Sequence, residues 1–130
     1  MDDYDQVIAL CRQSENIGLS SADERAKLQF YLARNPDMSF VARENGVGVG
    51  AALCGHDGRR GYLHHLAVAA PHRKRGIGRQ FTARYLESLR KAAIEKCHLF
   101  LFYRNTAGRA FLEKIGWTPR SDIQVVSRES

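Results

Sequence analysis

Leu66-Ala67-Val68-Ala69-Ala70-Pro71-His72-Arg73-Lys74-Arg75-Gly76-Ile77-Gly78-Arg79-Gln80 is the stretch on which the reading of this chain turns. An apolar run ends at Val68, a turn carries Pro71, and Arg73, Lys74 and Arg75 lead straight into Gly76-Ile77-Gly78, where an amphipathic segment begins. This order predicts a strand, a cationic loop and a helix N-terminus. The first amides of a helix have no acceptors within it and point outward as free donors. The helix dipole adds partial positive charge at the same end. Glycines let a ligand approach the backbone, and the arginines and lysine add formal charge. Together they make a cradle suited to a phosphate or pyrophosphate. A basic loop with two glycines is also a common solvated turn, so the loop by itself leaves both readings open.

The 130 residues, 44% hydrophobic and 26% charged, suit one globular domain spanning residues 1–130. No apolar run is long enough to span a membrane. The start, Met1-Asp2-Asp3-Tyr4-Asp5, is acidic and unlike a targeting peptide, so the expected location is cytoplasmic. Cys11, Cys54 and Cys97 are widely spaced and form no CxxC or Cys/His pattern; reduced thiols are expected, with no metal site. The net charge of +6 is concentrated at Arg73, Lys74, Arg75, Arg79 and Arg84, with Arg59 and Arg60 upstream. Such local concentration favours a compact anion over a long polymer, so nucleic acid is not the expected partner, with non-specific DNA binding the minor alternative, and no membrane partner is expected.

Around that loop the periodicity predicts a helix over 3–14, with Asp2 or Asp3 as its cap, and a second helix opened by a Ser21-x-x-Glu24 capping box and stopped at Asn35-Pro36. Strands are expected at 39–43, 47–54 and 60–68. The first two are joined by Glu44-Asn45-Gly46, since Asn-Gly accepts positive φ at low cost. A helix over 76–91 follows, then a buried strand at 97–103. Next comes a helix over 105–115, capped by Asn105, with Ala107, Phe111 and Ile115 in one stripe. A last strand or hairpin arm is expected at about 122–127. The order argues a mixed sheet with helices on its faces, an α/β (α+β) fold.

Two blocks resemble the GNAT acetyltransferase superfamily. Arg73-Lys74-Arg75-Gly76-Ile77-Gly78, after Leu66-Ala67-Val68, is similar to that family's R/Q-x-x-G-x-G/A acyl-CoA loop. Asn105 to Trp117 resembles its N-x-x-A-x-x-x-Y-x-x-x-G-F/W segment. The resemblance covers about residues 39–117 and looks closest to small bacterial members. It implies a mostly antiparallel twisted sheet whose central parallel strands, here 60–68 and 97–103, splay apart, with the family's first edge strand missing. Either the sheet lacks that strand or the native start lies upstream. A bare edge exposes unpaired backbone groups, and a second subunit covering it makes a homodimer part of the expectation.

By the same resemblance the co-substrate is acetyl-CoA, with no metal. Its pyrophosphate would sit on the loop formed by Arg73, Lys74, Arg75, Gly76, Ile77, Gly78 and Arg79. Its pantetheine arm would run beside Leu66, Ala67 and Val68, with Asn105 hydrogen-bonding from the far side. The reaction implied is direct attack of an amine, of a small molecule or a protein, on the thioester. An ammonium cannot attack, so a base or a water chain must take a proton. Several family members place a basic residue at the position of His64, whose imidazole titrates near neutrality. Strict alternation would put Tyr62, His64, Leu66 and Val68 on one face and Leu63, His65 and Ala67 on the other. On that pattern His64 is the expected base, His65 the second choice, and at most one acts directly. The family's usual tyrosine, which would protonate the leaving thiolate, is replaced by Leu112; Tyr103 or a water would take its place. The acceptor is expected on the side of the first two helices and strand 47–54, a region that carries Glu15, Asp23 and Glu24 beside Arg12, Arg25 and Lys27. Leu112 keeps a second reading open, a non-catalytic acyl-CoA binding or sensing module.

Overall fold

A computed structural model describes residues 3–14 and 17–130; Asp2 as a cap and Glu15 as an acceptor-side acid lie outside the described residues. The chain falls into two compact units, residues 1–100 and 101–130, and each is described by itself.

In the first unit the sheet order is β1-β2-β3-β4, with β1 Phe40–Glu44, β2 Val47–His56, β3 Gly61–Val68 and β4 Cys97–Leu99. The first three strands are antiparallel, and β4 lies parallel to β3. Asn45 and Gly46 take φ of 53° and 79°, the left-handed pair that a two-residue hairpin turn requires. At the next turn the Asp57 carboxylate accepts from the amides of Arg59 and Arg60, an Asx-type closure.

Helices cover both faces. On one lies α1, Tyr4–Gln13, whose Leu10 and Cys11 pack on Ala51 and Ala67 of the sheet. A 3-10 turn, Ser21–Asp23, and α2, Arg25–Arg34, complete that side. The other face carries α3, Ile77–Lys91, which buries Phe81, Tyr85 and Leu89, four residues apart along one side of the helix. The Tyr85 hydroxyl donates to the Gly55 carbonyl at 2.6 Å, so the polar tip of a fully buried ring is satisfied. Gly61 sits beneath this helix: a Cβ there would lie 2.4 Å from the Tyr85 hydroxyl oxygen.

The second unit holds α4, Thr106–Lys114. Asn105 caps it, its Oδ1 accepting from the Gly108 amide at 2.8 Å, as the sequence leads one to expect.

Several expectations are corrected. The capping box is Ser20 with Asp23, not Ser21 with Glu24. Ser20 is the extended residue that opens the turn, and Glu24 is itself extended, so a helix cannot run from Ser21 through it. The expected strand 97–103 pairs only over Cys97–Leu99. Residues 122–127 carry strand-forming side chains but join no ladder; Ile123, Val125 and Val126 are exposed. β propensity without a neighbouring edge does not make a strand. In α4 Leu112 is the buried residue, flanked by half-buried Phe111 and Ile115, while Ala107 is exposed.

Candidate active site

The site is built on β3. Its ladder with β4 holds only Gly61, Tyr62 and Leu63, opposite Cys97, His98 and Leu99, and the parallel pairing stops there. On its other side β3 stays paired with β2 as far as Val68. The two parallel strands therefore part company half-way along β3, beside the residues 64–68 that the sequence marks.

The pleat of β3 fails at the same point. Leu53 faces His65 and Cys54 faces Leu63, so His64 is an extra residue, a β-bulge. Its effect is visible in the contacts. Gly61 points to α3, and Gly50, opposite Val68, also points to Ile77 and Phe81 of α3. Tyr62 and His64 stack at 6.3 Å between ring centroids on the opposite face, where the Tyr31 ring of α2 meets His64 edge-on at 5.4 Å. His65 points to that same face: its Nε2 lies 2.7 Å from Oδ1 of Asp23. The expected alternation is thus overturned. The bulge turns both histidines toward the first two helices, so neither is excluded by orientation.

The two imidazoles differ in surroundings. His64 is held below the ordinary histidine pKa, by burial first and by His65 second, with Asp23 opposing. Its neutral form is therefore favoured near pH 7. His65 is clamped to Asp23, a carboxylate only 8% exposed. The other oxygen of Asp23 accepts from the Ser20 amide at 2.9 Å, and its carbonyl accepts from the Tyr4 hydroxyl at 2.6 Å. Nearby, burial and then Asp23 push the Cys11 thiol up to about 11, so it stays protonated and inert.

A cavity of about 200 Å³ lies between α1, α2 and strands β1 to β3, with His65 and Asp23 in its wall. Asp23, expected only as one of several charged residues on the acceptor side, is the one that meets an imidazole of β3. Its capping role is legible in the sequence as Ser20-x-x-Asp23.

After Val68 the chain turns through a 3-10 turn, Ala70–His72, into the cationic loop. Gly76 is the N-cap of α3, in the left-handed region at φ 84°, and no side chain caps the helix among the described residues. The opening amides of α3 are thereby left for a ligand. Arg73 Nε donates to the Val68 carbonyl at 3.0 Å, folding the loop back on β3. Glu44 of the β1–β2 hairpin, unremarked in the sequence, receives Arg75 at 3.3 Å and His72 at 2.5 Å and so anchors the loop from the side. Leu66, Ala67, Val68 and the loop from Arg73 to Arg79 are accordingly brought together as one continuous ledge. In the second unit Asn105 is a helix cap, Tyr103 is 92% exposed, and Leu112 is buried in α4.

Residues 5–117 match the model of the acetyltransferase (GNAT) family. The chain belongs to that family. It is 31% identical over 114 residues to an acetyltransferase of Pectobacterium atrosepticum, covering 88% of this chain and 80% of the relative. To an acetyltransferase of Photorhabdus laumondii it is 29% identical, covering 96% and 87%. Among solved structures it is similar to the aminoglycoside N-acetyltransferase AAC(6')-Iy in complex with a CoA bisubstrate analogue (TM-score 0.76, 16% identity, 99% and 93% covered). It is also similar to a predicted acetyltransferase with acetyl-CoA from Clostridium acetobutylicum (TM-score 0.75, 17% identity, 97% and 90% covered). At these identities the structural likenesses speak for the fold, which among the described residues is a mixed GNAT sheet of four strands with four α-helices. No helix among the described residues is long and apolar enough to cross a membrane.

Proposed function

We propose that this GNAT chain, read as one domain over residues 1–130, is an N-acetyltransferase that moves an acetyl group from acetyl-CoA to a primary amine of a small molecule or a protein. One observation carries the reading. β3 outruns its parallel partner after Leu63 and leads into an uncapped helix N-terminus ringed by Arg73, Lys74, Arg75 and Arg79. A pantetheine arm would pair with β3 beside Leu66, Ala67 and Val68, and the diphosphate would take the amides at Gly76, Ile77 and Gly78. Arg73 would then release the Val68 carbonyl to the arm.

In the reaction a neutral amine attacks the thioester carbonyl, a C–N bond forms, the C–S bond breaks and CoA leaves as its thiolate. The surplus proton of the amine goes to an imidazole of β3, His64 or His65. The thiolate takes a proton from Tyr103 or from water. Asn105 adds a hydrogen bond to the arm beside its capping role. Acetyl-CoA titration with thiol-release kinetics on a panel of primary amines tests the proposal. A rise in melting temperature with acetyl-CoA and amine-dependent thiol release are expected. Absence of both would overturn it.

Leu112 favours a second reading. The family tyrosine is replaced there by a buried leucine that has no proton to give, as suits an acyl-CoA sensor. Acetyl-CoA binding without turnover of any amine would select that reading.

A further inference from the structure

We infer that the cavity between α1, α2 and the sheet is the acceptor site, that it takes a small primary amine with an apolar body, and that His65, held by Asp23, receives the amine head. The inference rests on the transferase reading and names its substrate class.

The cavity wall is apolar over most of its extent, through Tyr4, Val7, Ile8, Leu28, Phe40 and Leu53. Its volume of about 200 Å³ exceeds the roughly 150 Å³ that holds a benzene ring in an apolar interior. A polyhydroxylated or polycationic body would leave its polar groups unpaired against such walls, which disfavours it.

Beside Asp3 and Ser39, the polar part of the lining is the Asp23–His65 pair, which is placed to take a proton from an amine. Burying a carboxylate is costly unless it is paired. A capping box needs only one oxygen, and Asp23 spends Oδ2 on Ser20. Its Oδ1 is committed to an imidazole across 2.7 Å in the cavity wall. Asp23 thus fixes the ring through Nε2, and the edge of His65 left for the amine head is Nδ1. With Nε2–H directed at Asp23, His65 carries its lone pair on Nδ1. The ammonium gives one proton to that nitrogen, becoming the neutral nucleophile, the imidazolium formed is balanced through Nε2–H by the Asp23 carboxylate, and the second proton, released as the amide forms, goes to His64 or to water. His65 also belongs to the stretch of β3 that β4 leaves unpaired. The cavity and the ledge for the thioester thus share one strand, and the bulge at His64 is what turns His65 into the cavity.

The test is acetyl transfer from acetyl-CoA to benzylamine, to spermidine and to an aminoglycoside, with wild type and with Asp23→Asn, Asp23→Glu, His65→Gln and Val7→Phe. Benzylamine is expected to have a kcat/KM at least about tenfold above the other two. His65→Gln should lower kcat with benzylamine, and Asp23→Asn should lower kcat about tenfold at nearly unchanged KM, the scale of one charge-assisted hydrogen bond to the imidazolium, with partial recovery in Asp23→Glu. Because Asp23 also closes a capping box, Val7→Phe supplies an independent check. It narrows the cavity without touching the polar pair, so it should raise KM for benzylamine far more than for methylamine and leave acetyl-CoA affinity unchanged. Spermidine or the aminoglycoside turning over as well as benzylamine, or Val7→Phe acting equally on both monoamines, overturns this inference and leaves the transferase standing. No turnover of any amine overturns the transferase reading itself.

Discussion

His64 marks the place where β3 gains a residue, and its environment makes a pH prediction. Its folded-state pKa lies below the ordinary value because burial, then His65, outweigh the support of Asp23. The unfolded chain therefore binds this proton more readily than the folded one. The stability that goes with the neutral ring is complete above the ordinary value of 6.5 and is lost as pH falls below it toward the folded value. His64→Gln should accordingly melt with a smaller drop than wild type between about pH 7.5 and about pH 5.5. Equal drops in calorimetry would show that the ring carries no such linkage. At Gly76 the issue is backbone alone. With φ at 84° and nothing within 4 Å of a Cβ, Gly76→Ala should cost about 1 kcal/mol through left-handed strain. Urea unfolding measures that cost, and the same variant should weaken acetyl-CoA binding because the α3 amides shift. Gly61 is the opposite case, since a Cβ there meets Tyr85, Leu89 and Cys97 within 3.0 Å. Gly61→Ala should destabilise by about 1–3 kcal/mol through overpacking, read as a lowered melting temperature with the acetyl-CoA site chemistry intact.

At the scale of elements, β3 and α3 form one device, a strand that outlives its partner and a helix whose first amides are unspent. The loop between them is not a free basic turn. Arg73 is tied to Val68, and Arg75 and His72 to Glu44. Glu44→Gln should loosen the loop and raise the acetyl-CoA dissociation constant even though it removes a negative charge beside an anion site. Tighter binding in that variant, measured by calorimetric titration, would mean that charge outweighs placement. In α4 the cap is equally specific. Asn105→Ala should cost about 1 kcal/mol of stability. Gly108→Ala should cost a similar amount, because its Cβ would fall 2.5–2.7 Å from the Asn105 side chain that caps the helix. Both are checked by thermal unfolding.

For the whole molecule, a net charge of +6, with Arg73, Lys74, Arg75 and Arg79 around the start of α3, should make acetyl-CoA binding sensitive to salt. The Debye length shortens from about 10 Å at 0.1 M toward about 3 Å at 1 M. Acetyl-CoA affinity should fall across that range, and the Arg73→Ala chain should show a shallower dependence than wild type. Titrations at several ionic strengths decide this.

Much of this protein was written in local sequence. Asn45-Gly46 fixed a hairpin because few other residues accept two positive φ angles, and the spacing of Phe81, Tyr85 and Leu89 fixed the buried face of α3. The run from Arg73 to Gly78 announced a helix end with free donors, and with Asn105 to Trp117 it announced the family. Those features depend on neighbours a few residues apart. What the tertiary structure alone decided depends on residues far apart in the chain. Whether residues 97–103 stay paired, and whether 122–127 find an edge, is set by strand partners that local propensity does not specify. The bulge at His64 exists only as a mismatch of register between β2 and β3, and it reverses the side to which His65 points. Asp23 reaches that imidazole across 42 positions of sequence, a meeting made by the packing of helix on sheet that no periodicity encodes.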